Sequence, residues 1–225
     1  MAVDLAGMGD SDHRDAYSQR QYAEDLAQVI RHADLSPARV VAHSFGGLMA
    51  CWLAHHYPSL LRSLVIVDSR LGFPGDQDDR QPPVGKAPAP PYPDYPSARN
   101  RFRLIPEQHC AEPALFEHAA HHSLRRVNGG WQWKFDRSIL HRLPWPEQPE
   151  TELLKGMELP IYLISGELSV VSPPDFTARV AACLSCPDAF TLIPQAHHHV
   201  LLDQPLALVA VLRTVLTPLS SSFPP

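Results

Sequence analysis

Short apolar runs alternate with helical patterns along most of the chain, and this alternation constrains the fold more than any other feature. The apolar runs typical of buried strands lie at residues 1–5, 39–43, 64–67, 160–164 and 190–193. Helical patterns follow them at residues 18–33, 45–57, 174–183 and 205–216. Because strands that alternate with helices form βαβ units, the sequence predicts an α/β fold with a mostly parallel sheet.

The alternation stops over a middle stretch that is rich in proline. Residues 73–96 can hold neither a helix nor a central strand, and residues 98–145 show an irregular helical pattern with its best helix at 113–123. We therefore expect a core from residues 1–72 and 156–216, a proline-rich segment with a mainly helical lid at 73–155, and a frayed tail at 217–225.

Composition excludes several classes of protein. The chain has 225 residues, 44% of them hydrophobic, which is too apolar for a disordered chain. Its formal net charge of −5 argues against a nucleic-acid or anionic-membrane binder. No apolar run reaches the ~18–20 residues that span a bilayer. Only four cysteines occur, so a disulfide scaffold is excluded. No leader is apparent, and a cytoplasmic location is expected.

A serine lies at the junction between a predicted strand and a predicted helix. Residues 42–46, Ala-His-Ser-Phe-Gly, match a nucleophile elbow of the form small-x-Ser-x-small. Small residues at −2 and +2 let the strand and helix approach, while the strained turn exposes the Ser44 hydroxyl at a helix N-terminus. The plainer alternative is that Ser44 only caps the helix.

Several spaced motifs together resemble the α/β-hydrolase family. They are the D-x-x-G-x-G-x-S stretch at residues 4–11, the elbow at 43–47, the strand ends at 65–68 and 162–167, and the histidine motif at 197–205. The resemblance covers about residues 1–216. It implies a serine hydrolase that works without a cofactor or metal.

The resemblance also suggests partners for the serine. The family pattern places a histidine five residues before Asp203, which selects His198 as the base. A solvated loop or a weak metal site is the alternative for residues 197–199, although adjacent imidazoles in an extended loop point apart and rarely bind one ion. The Phe45 N–H is expected to stabilise the oxyanion.

The acid of the triad is less well defined. The family's G-x-x-D motif would place an aspartate at position 169, where this chain has a serine. Glu167 at the end of the seventh family strand and Asp68 at the end of the sixth both remain. We prefer Glu167, because it keeps the chain order serine, acid, histidine.

The chain departs from the family at its start. Three strands and a helix, roughly 50 residues at ordinary element lengths, would precede residue 1. Their absence is expected to leave residues 1–5 without a neighbouring strand and to remove one oxyanion donor. We therefore expect an N-terminally truncated sheet.

The leading functional hypothesis is hydrolysis of a small-molecule carboxylic ester through an acyl-enzyme on Ser44. The alternative is a non-catalytic fragment or pseudo-hydrolase that acts as a binding module. The oligomeric state is not indicated by the sequence.

Overall fold

The computed structural model describes residues 1–76, 90–110, 112–144, 146–184 and 189–217. The helices are α1 (Gln19–His32), α2 (Phe45–His56), α3 (Tyr95–Arg99), α4 (Pro113–His122), α5 (Ile139–Arg142), α6 (Glu150–Leu154), α7 (Pro174–Cys183), α8 (Val200–Asp203) and α9 (Pro205–Leu216). The strands are β1 (Ala38–His43), β2 (Leu61–Val67), β3 (Leu124–Val127), β4 (Gly130–Trp133), β5 (Ile161–Gly166) and β6 (Phe190–Ile193).

Four strands form one parallel sheet in the order β1-β2-β5-β6. The predicted α/β class is therefore confirmed, and the predicted strands at 39–43, 64–67, 160–164 and 190–193 all lie in this sheet. Because the strands are parallel, the segments that follow Val67, Gly166 and Ile193 leave the sheet at the same edge as Ser44.

The first helix begins where its capping signal predicts. The Ser18 hydroxyl accepts a hydrogen bond from the Gln21 backbone N–H at 3.2 Å. Tyr22, Ala23 and Ala27 recur on the buried face of α1. The Tyr22 ring meets the Phe45 ring edge-on at 5.4 Å, so α1 packs directly beside the start of α2.

Helix α2 approaches the sheet at a glycine. A Cβ at Gly47 would collide with the Ser69 hydroxyl and would lie 2.9 Å from the Ser69 Cβ. A Cβ at Gly46 would meet no atom within 4 Å. The close contact between α2 and the segment after β2 therefore depends on Gly47.

Residues 1–5 form no strand, contrary to prediction. The Asp4 carboxylate accepts the Asp10 N–H at 2.9 Å, and the Ser11 hydroxyl donates to the Asp4 carbonyl at 2.7 Å. The predicted burial is also wrong for residues 1–4, which are exposed, while Leu5 is partly buried against a core cluster. A strand needs a partner, and residues 1–5 pair with none of the described strands.

The inserted segment, residues 73–155, is less helical than expected. It contains the antiparallel hairpin of β3 and β4. Trp131 and Trp133 alternate in β4, and Gly129 supplies a φ of 88° at the turn, which are hairpin signals inside the region predicted to be helical. The predicted proline-rich excursion lies largely outside the described residues.

Hydrogen bonds fix the inserted segment to the N-terminal part of the chain. The Tyr17 hydroxyl donates to the Asp136 carboxylate at 2.6 Å, and the Asp136 N–H donates to the Gly7 carbonyl at 2.7 Å. The Gln19 amide donates to the Pro144 carbonyl at 2.7 Å. The inserted segment therefore packs against the loop before α1.

Among the described residues, no helix has the length and apolarity that a bilayer span requires. The cytoplasmic location and the boundaries of the core, lid and tail stay predictions.

We predict that Gly47→Ala lowers the free energy of unfolding by about 1–3 kcal/mol, because the new methyl group overpacks the contact with Ser69. Gly46→Ala is the matched control. It should be neutral or slightly stabilising, since it adds a methyl group in open space and alanine favours a helix. Urea unfolding of both variants measures the difference, and equal effects would contradict the dependence of the α2 contact on Gly47.

Candidate active site

Ser44 occupies a strained turn between β1 and α2. Its φ is 53° and its ψ is −122°, and its N–H donates to the Val67 carbonyl at 3.0 Å. A positive φ at a non-glycine residue costs free energy and persists where the surroundings enforce it. The serine side chain makes no capping hydrogen bond to α2. The alternative that Ser44 only caps the helix therefore has no support in the geometry.

The steric requirement at this turn falls one residue later than the sequence motif indicates. Gly46 stands at the +2 position, but a side chain there would find open space. Gly47 is the glycine in close contact, and Ser69, against which it packs, donates its hydroxyl to the Ser44 carbonyl at 2.9 Å. Gly47 thus helps to fix the backbone of the turn.

Asp68 directly follows β2 and is 1% exposed. Its carboxylate accepts the Gly166 N–H at 2.8 Å and the hydroxyls of Ser165 and Ser169 at 3.1 and 2.6 Å. The fourth partner is Nδ1 of His198 at 2.8 Å. Four donors at a buried carboxylate are the arrangement that offsets the cost of removing its charge from water.

Glu167 does not reach His198. Its carboxylate accepts the Gln195 N–H at 3.0 Å in an exposed position. A Cβ at Gly166 would collide with the carbonyl oxygens of Ala196 and His197, so position 166 faces the segment that carries the histidines. The Glu167 carboxylate meets this segment at Gln195, three residues before His198, and no hydrogen bond joins it to the His198 ring in the described chain. The geometry therefore favours Asp68 over the preferred Glu167.

Ser169 is a site residue that the sequence reasoning missed. It occupies the position of the expected G-x-x-D aspartate, and its hydroxyl donates to Asp68. The same oxygen accepts the N–H groups of Val171 and Ser172, both at 3.1 Å. A signal for it exists in the sequence, because a serine in place of one acid can serve as a donor to another acid on the neighbouring strand.

The histidine loop, residues 194–199, connects β6 to α8. Asp203 accepts hydrogen bonds from the His197 backbone N–H at 2.8 Å and from the His197 ring Nδ1 at 3.0 Å, and none joins it to His198 among the described residues. Gln108 of the inserted segment donates to Asp203 at 3.1 Å and accepts the His199 N–H at 2.9 Å. Asp203 and Gln108 therefore hold the loop in place, and His198 is left 2% exposed against Asp68.

His43 links the serine turn to the histidine loop. Its Nε2 lies 2.9 Å from the His198 carbonyl oxygen, and the two rings are 4.8 Å apart. Ser44, the next residue, is thereby brought to the same edge of the sheet as His198. Within the described residues, no hydrogen bond joins the Ser44 hydroxyl to the His198 ring.

Burial suppresses the charge of the imidazoles around His198. It lowers the pKa of His43, and burial together with the neighbouring His198 and His43 lowers the pKa of His199 to about 4. Both rings are therefore neutral at pH 7. The ring nitrogens of His43, His198 and His199 lie within 4.8 Å of one another, which makes them a group that can hold a metal ion.

The first amides of α2 lie beside Ser44. Phe45 is the first residue of this helix, and first-turn N–H groups have no acceptor within their own helix. They favour negative charge, and the helix dipole adds to that preference. The turn can thus present a hydroxyl and an anion-stabilising amide from adjacent residues.

A cavity of about 530 Å³ lies within the inserted segment, which supplies all of its lining residues. Its lining includes Phe102, Ile105, Trp133 and Phe135. The backbone of Ile105 lies beside the His199 ring, so one wall of the cavity is close to the histidine loop. The aromatic and aliphatic part of its lining suits a hydrophobic group.

Comparison with known proteins points to one fold. A family model described as the alpha/beta hydrolase fold matches residues 1–205. The esterase Rv0045c of Mycobacterium tuberculosis is 29% identical over 226 residues, which cover 96% of this chain and 74% of the relative.

Solved structures agree with that comparison. The M. tuberculosis esterase Rv0045c, in a structure concerned with its transition metal inhibition, has a TM-score of 0.74 at 26% identity and matches 96% of this chain and 75% of its own. E-2-(acetamidomethylene)succinate hydrolase has a TM-score of 0.73 at 21% identity, matching 96% of this chain and 81% of its own, and this similarity concerns the fold alone.

We predict that Asp68→Asn lowers the free energy of unfolding by about 1–3 kcal/mol. The new amide NH₂ would face donors whose hydrogen bonds the carboxylate oxygen accepts. Glu167→Gln is the matched control and should change it by no more than about 0.5 kcal/mol at its exposed site. Chemical unfolding at pH 7 compares the two variants. A larger loss of stability for Glu167→Gln than for Asp68→Asn would contradict the assignment of Asp68 as the structurally important carboxylate.

Proposed function

The chain belongs to the α/β-hydrolase family, and on that premise we propose that it hydrolyses carboxylic esters with Ser44 as the nucleophile. Similarity to an esterase along 96% of the chain supports ester hydrolysis as the reaction. The buried hydrogen bond between Asp68 and His198, at the same sheet edge as the strained Ser44, is the observation that carries the proposal.

His198 would act as the base. Its Nδ1–H donates to Asp68, so its Nε2 keeps the lone pair that can accept the proton of the Ser44 hydroxyl. The Ser44 oxygen then bonds to the carbonyl carbon, and the carbonyl π electrons move to the oxygen. When the tetrahedral intermediate collapses, the C–O bond to the alcohol breaks and His198 returns the proton to that alcohol.

Water completes the cycle. His198 takes a proton from water, the hydroxide oxygen bonds to the acyl carbon, and the Ser44–acyl bond breaks with return of the proton to Ser44. Asp68 stays a carboxylate throughout, fixing the ring orientation and stabilising the imidazolium. We assign the Phe45 N–H to the oxyanion in both halves.

The inserted segment would act as the lid over this site. We assign residues 73–155 to the lid and residues 1–72 and 156–216 to the core. The cavity lined by Phe102, Trp133 and Phe135 would take the acyl group of a small-molecule ester. Gln108 supports this assignment, since it joins the lid to the histidine loop through two hydrogen bonds.

A non-catalytic binding module is the competing function. It is favoured by one observation, the lack of a hydrogen bond between the Ser44 hydroxyl and His198 in the described chain. Such bonds are often long before substrate binds, so this observation does not decide between the two functions.

A covalent probe separates them. We expect a fluorophosphonate to phosphonylate the wild-type protein, with the Ser44 oxygen attacking phosphorus and fluoride leaving. Ser44→Ala should abolish the adduct, while Ser59→Ala, at an exposed serine elsewhere, should keep it. Intact-protein mass spectrometry reads the result. A folded wild-type protein that stays unmodified would support the binding module instead.

The identity of the acid is tested by activity. We predict that Asp68→Asn lowers kcat/KM for a short-chain p-nitrophenyl ester by about 10⁴-fold, because the His198 tautomer is no longer held. Glu167→Gln should leave kcat/KM close to the wild-type value. The reverse ranking would restore Glu167 as the acid and exclude a mechanism in which Asp68 orients His198.

A further inference from the structure

We propose that His43, His198 and His199 form a site for a divalent transition metal such as Zn²⁺, and that metal bound there reversibly inhibits the enzyme. Each residue offers one ring nitrogen, and these atoms lie within 4.8 Å of one another. His43 comes from the end of β1, and the other two come from the histidine loop.

Hydrogen bonds leave one lone pair on each ring. His43 uses Nε2 toward the His198 carbonyl at 2.9 Å, and His198 uses Nδ1 toward Asp68 at 2.8 Å. The Ile105 backbone lies beside the His199 ring, whose Nε2 is buried without a hydrogen-bond partner among the described residues. In the described part of the chain, Nδ1 of His43 and Nε2 of His198 and His199 therefore make no hydrogen bond.

This pattern is the one that metal-binding histidines show. Such rings donate their second N–H to a carboxylate or a backbone carbonyl, which fixes the tautomer and turns the lone pair toward the ion. Here the His198 ring is bonded to a carboxylate and the His43 ring to a backbone carbonyl. The buried, unpartnered Nε2 of His199 also gains a partner when an ion binds, which removes an unfavourable feature of the metal-free site.

The ring positions fit a common ion. The ring centroid of His198 lies 4.8 Å from the ring centroids of both His43 and His199. The centroids of His43 and His199 are 5.7 Å apart. Three imidazoles on a tetrahedral ion, with Zn–N near ~2.05 Å, place their ring centroids ~5 Å apart and their nitrogens ~3.3 Å apart. The observed ring spacing is therefore close to that of three imidazoles on one ion.

His197 is not part of this set. Its Nδ1 is bonded to Asp203 at 3.0 Å, so the three adjacent histidines do not bind one ion together, in line with the sequence expectation. The third ligand is His43, which lies 155 residues before His198 and is brought there by the fold. His197 consequently serves as a matched control on the same loop.

The donor set selects the class of ion. Neutral imidazoles suit Zn²⁺, Cu²⁺, Ni²⁺ and Co²⁺, whereas Mg²⁺ and Ca²⁺ require oxygen ligands. The inhibitory part of the proposal rests on the proposed function, because the metal would occupy the His198 Nε2 lone pair that accepts the Ser44 proton. The metal binding itself does not depend on that function.

Direct binding tests the site. We expect the wild-type protein to bind Zn²⁺ by calorimetry, in the presence of excess Mg²⁺, and to give a visible d–d spectrum with Co²⁺. His199→Phe and His43→Phe should each weaken Zn²⁺ binding by at least about tenfold, while His197→Phe should not. Circular dichroism confirms folding, and His199→Phe carries the test should His43→Phe misfold. Equal Zn²⁺ affinity in the folded His199→Phe variant and the wild type would overturn the site.

Inhibition is tested separately. Zn²⁺ should slow fluorophosphonate labelling of the wild type, and EDTA should restore it, whereas labelling that is unchanged or faster with Zn²⁺ bound would overturn the inhibitory role. Ser44→Ala, which cannot be labelled, should bind Zn²⁺ as the wild type does. A wild type that binds Zn²⁺ with the expected variant pattern but is never labelled would support the metal site and exclude only the proposed hydrolase function.

Discussion

The hydrogen bond between Asp68 and His198 is the interaction on which the candidate site depends. It joins the end of β2 to the histidine loop, and the same carboxylate takes donors from Ser165, Gly166 and Ser169 at and beyond the end of β5. Three segments that are distant in sequence thus meet at one buried charge. Because an unpaired charge at this depth is costly, the four donors and the carboxylate stabilise one another's positions. The reactive face of the imidazole is set by that arrangement.

Much of the fold can be predicted from sequence because the relevant signals are local. The cap at Ser18, the turn at Ser44 and the proline-led helices α4, α7 and α9 all follow from residues close in sequence. The strand prediction fails for residues 1–5, because the formation of a strand depends on a neighbouring strand as well as on its own residues. The hairpin of β3 and β4 differs because its alternation spans only four residues per strand, which is too short to stand out within an irregular helical pattern.

The site is predictable in part for the same reason. Ser44 and His198 lie in motifs whose spacing is visible along the chain, whereas the choice between Glu167 and Asp68 depends on which way a side chain points after its strand ends. Contacts between distant segments decide that choice, because Asp68 bonds His198, 130 residues further along the chain, whereas the Glu167 carboxylate bonds Gln195. His43 carries no local signal, because its partners His198 and His199 follow β6 and are brought to it only by the assembly of the whole sheet. Tertiary proximity is therefore what the sequence cannot supply.

The central claim is that the Ser44 hydroxyl and the His198 imidazole work together at this edge of the sheet. A crystal structure of the protein after reaction with a fluorophosphonate measures it most directly. We expect phosphorus bonded to the Ser44 oxygen, His198 Nε2 within ~2.6–3.2 Å of an oxygen of the adduct, and a phosphonyl oxygen facing the Phe45 N–H. An adduct on another residue, or a His198 ring turned away from Ser44 in the phosphonylated protein, would contradict the claim.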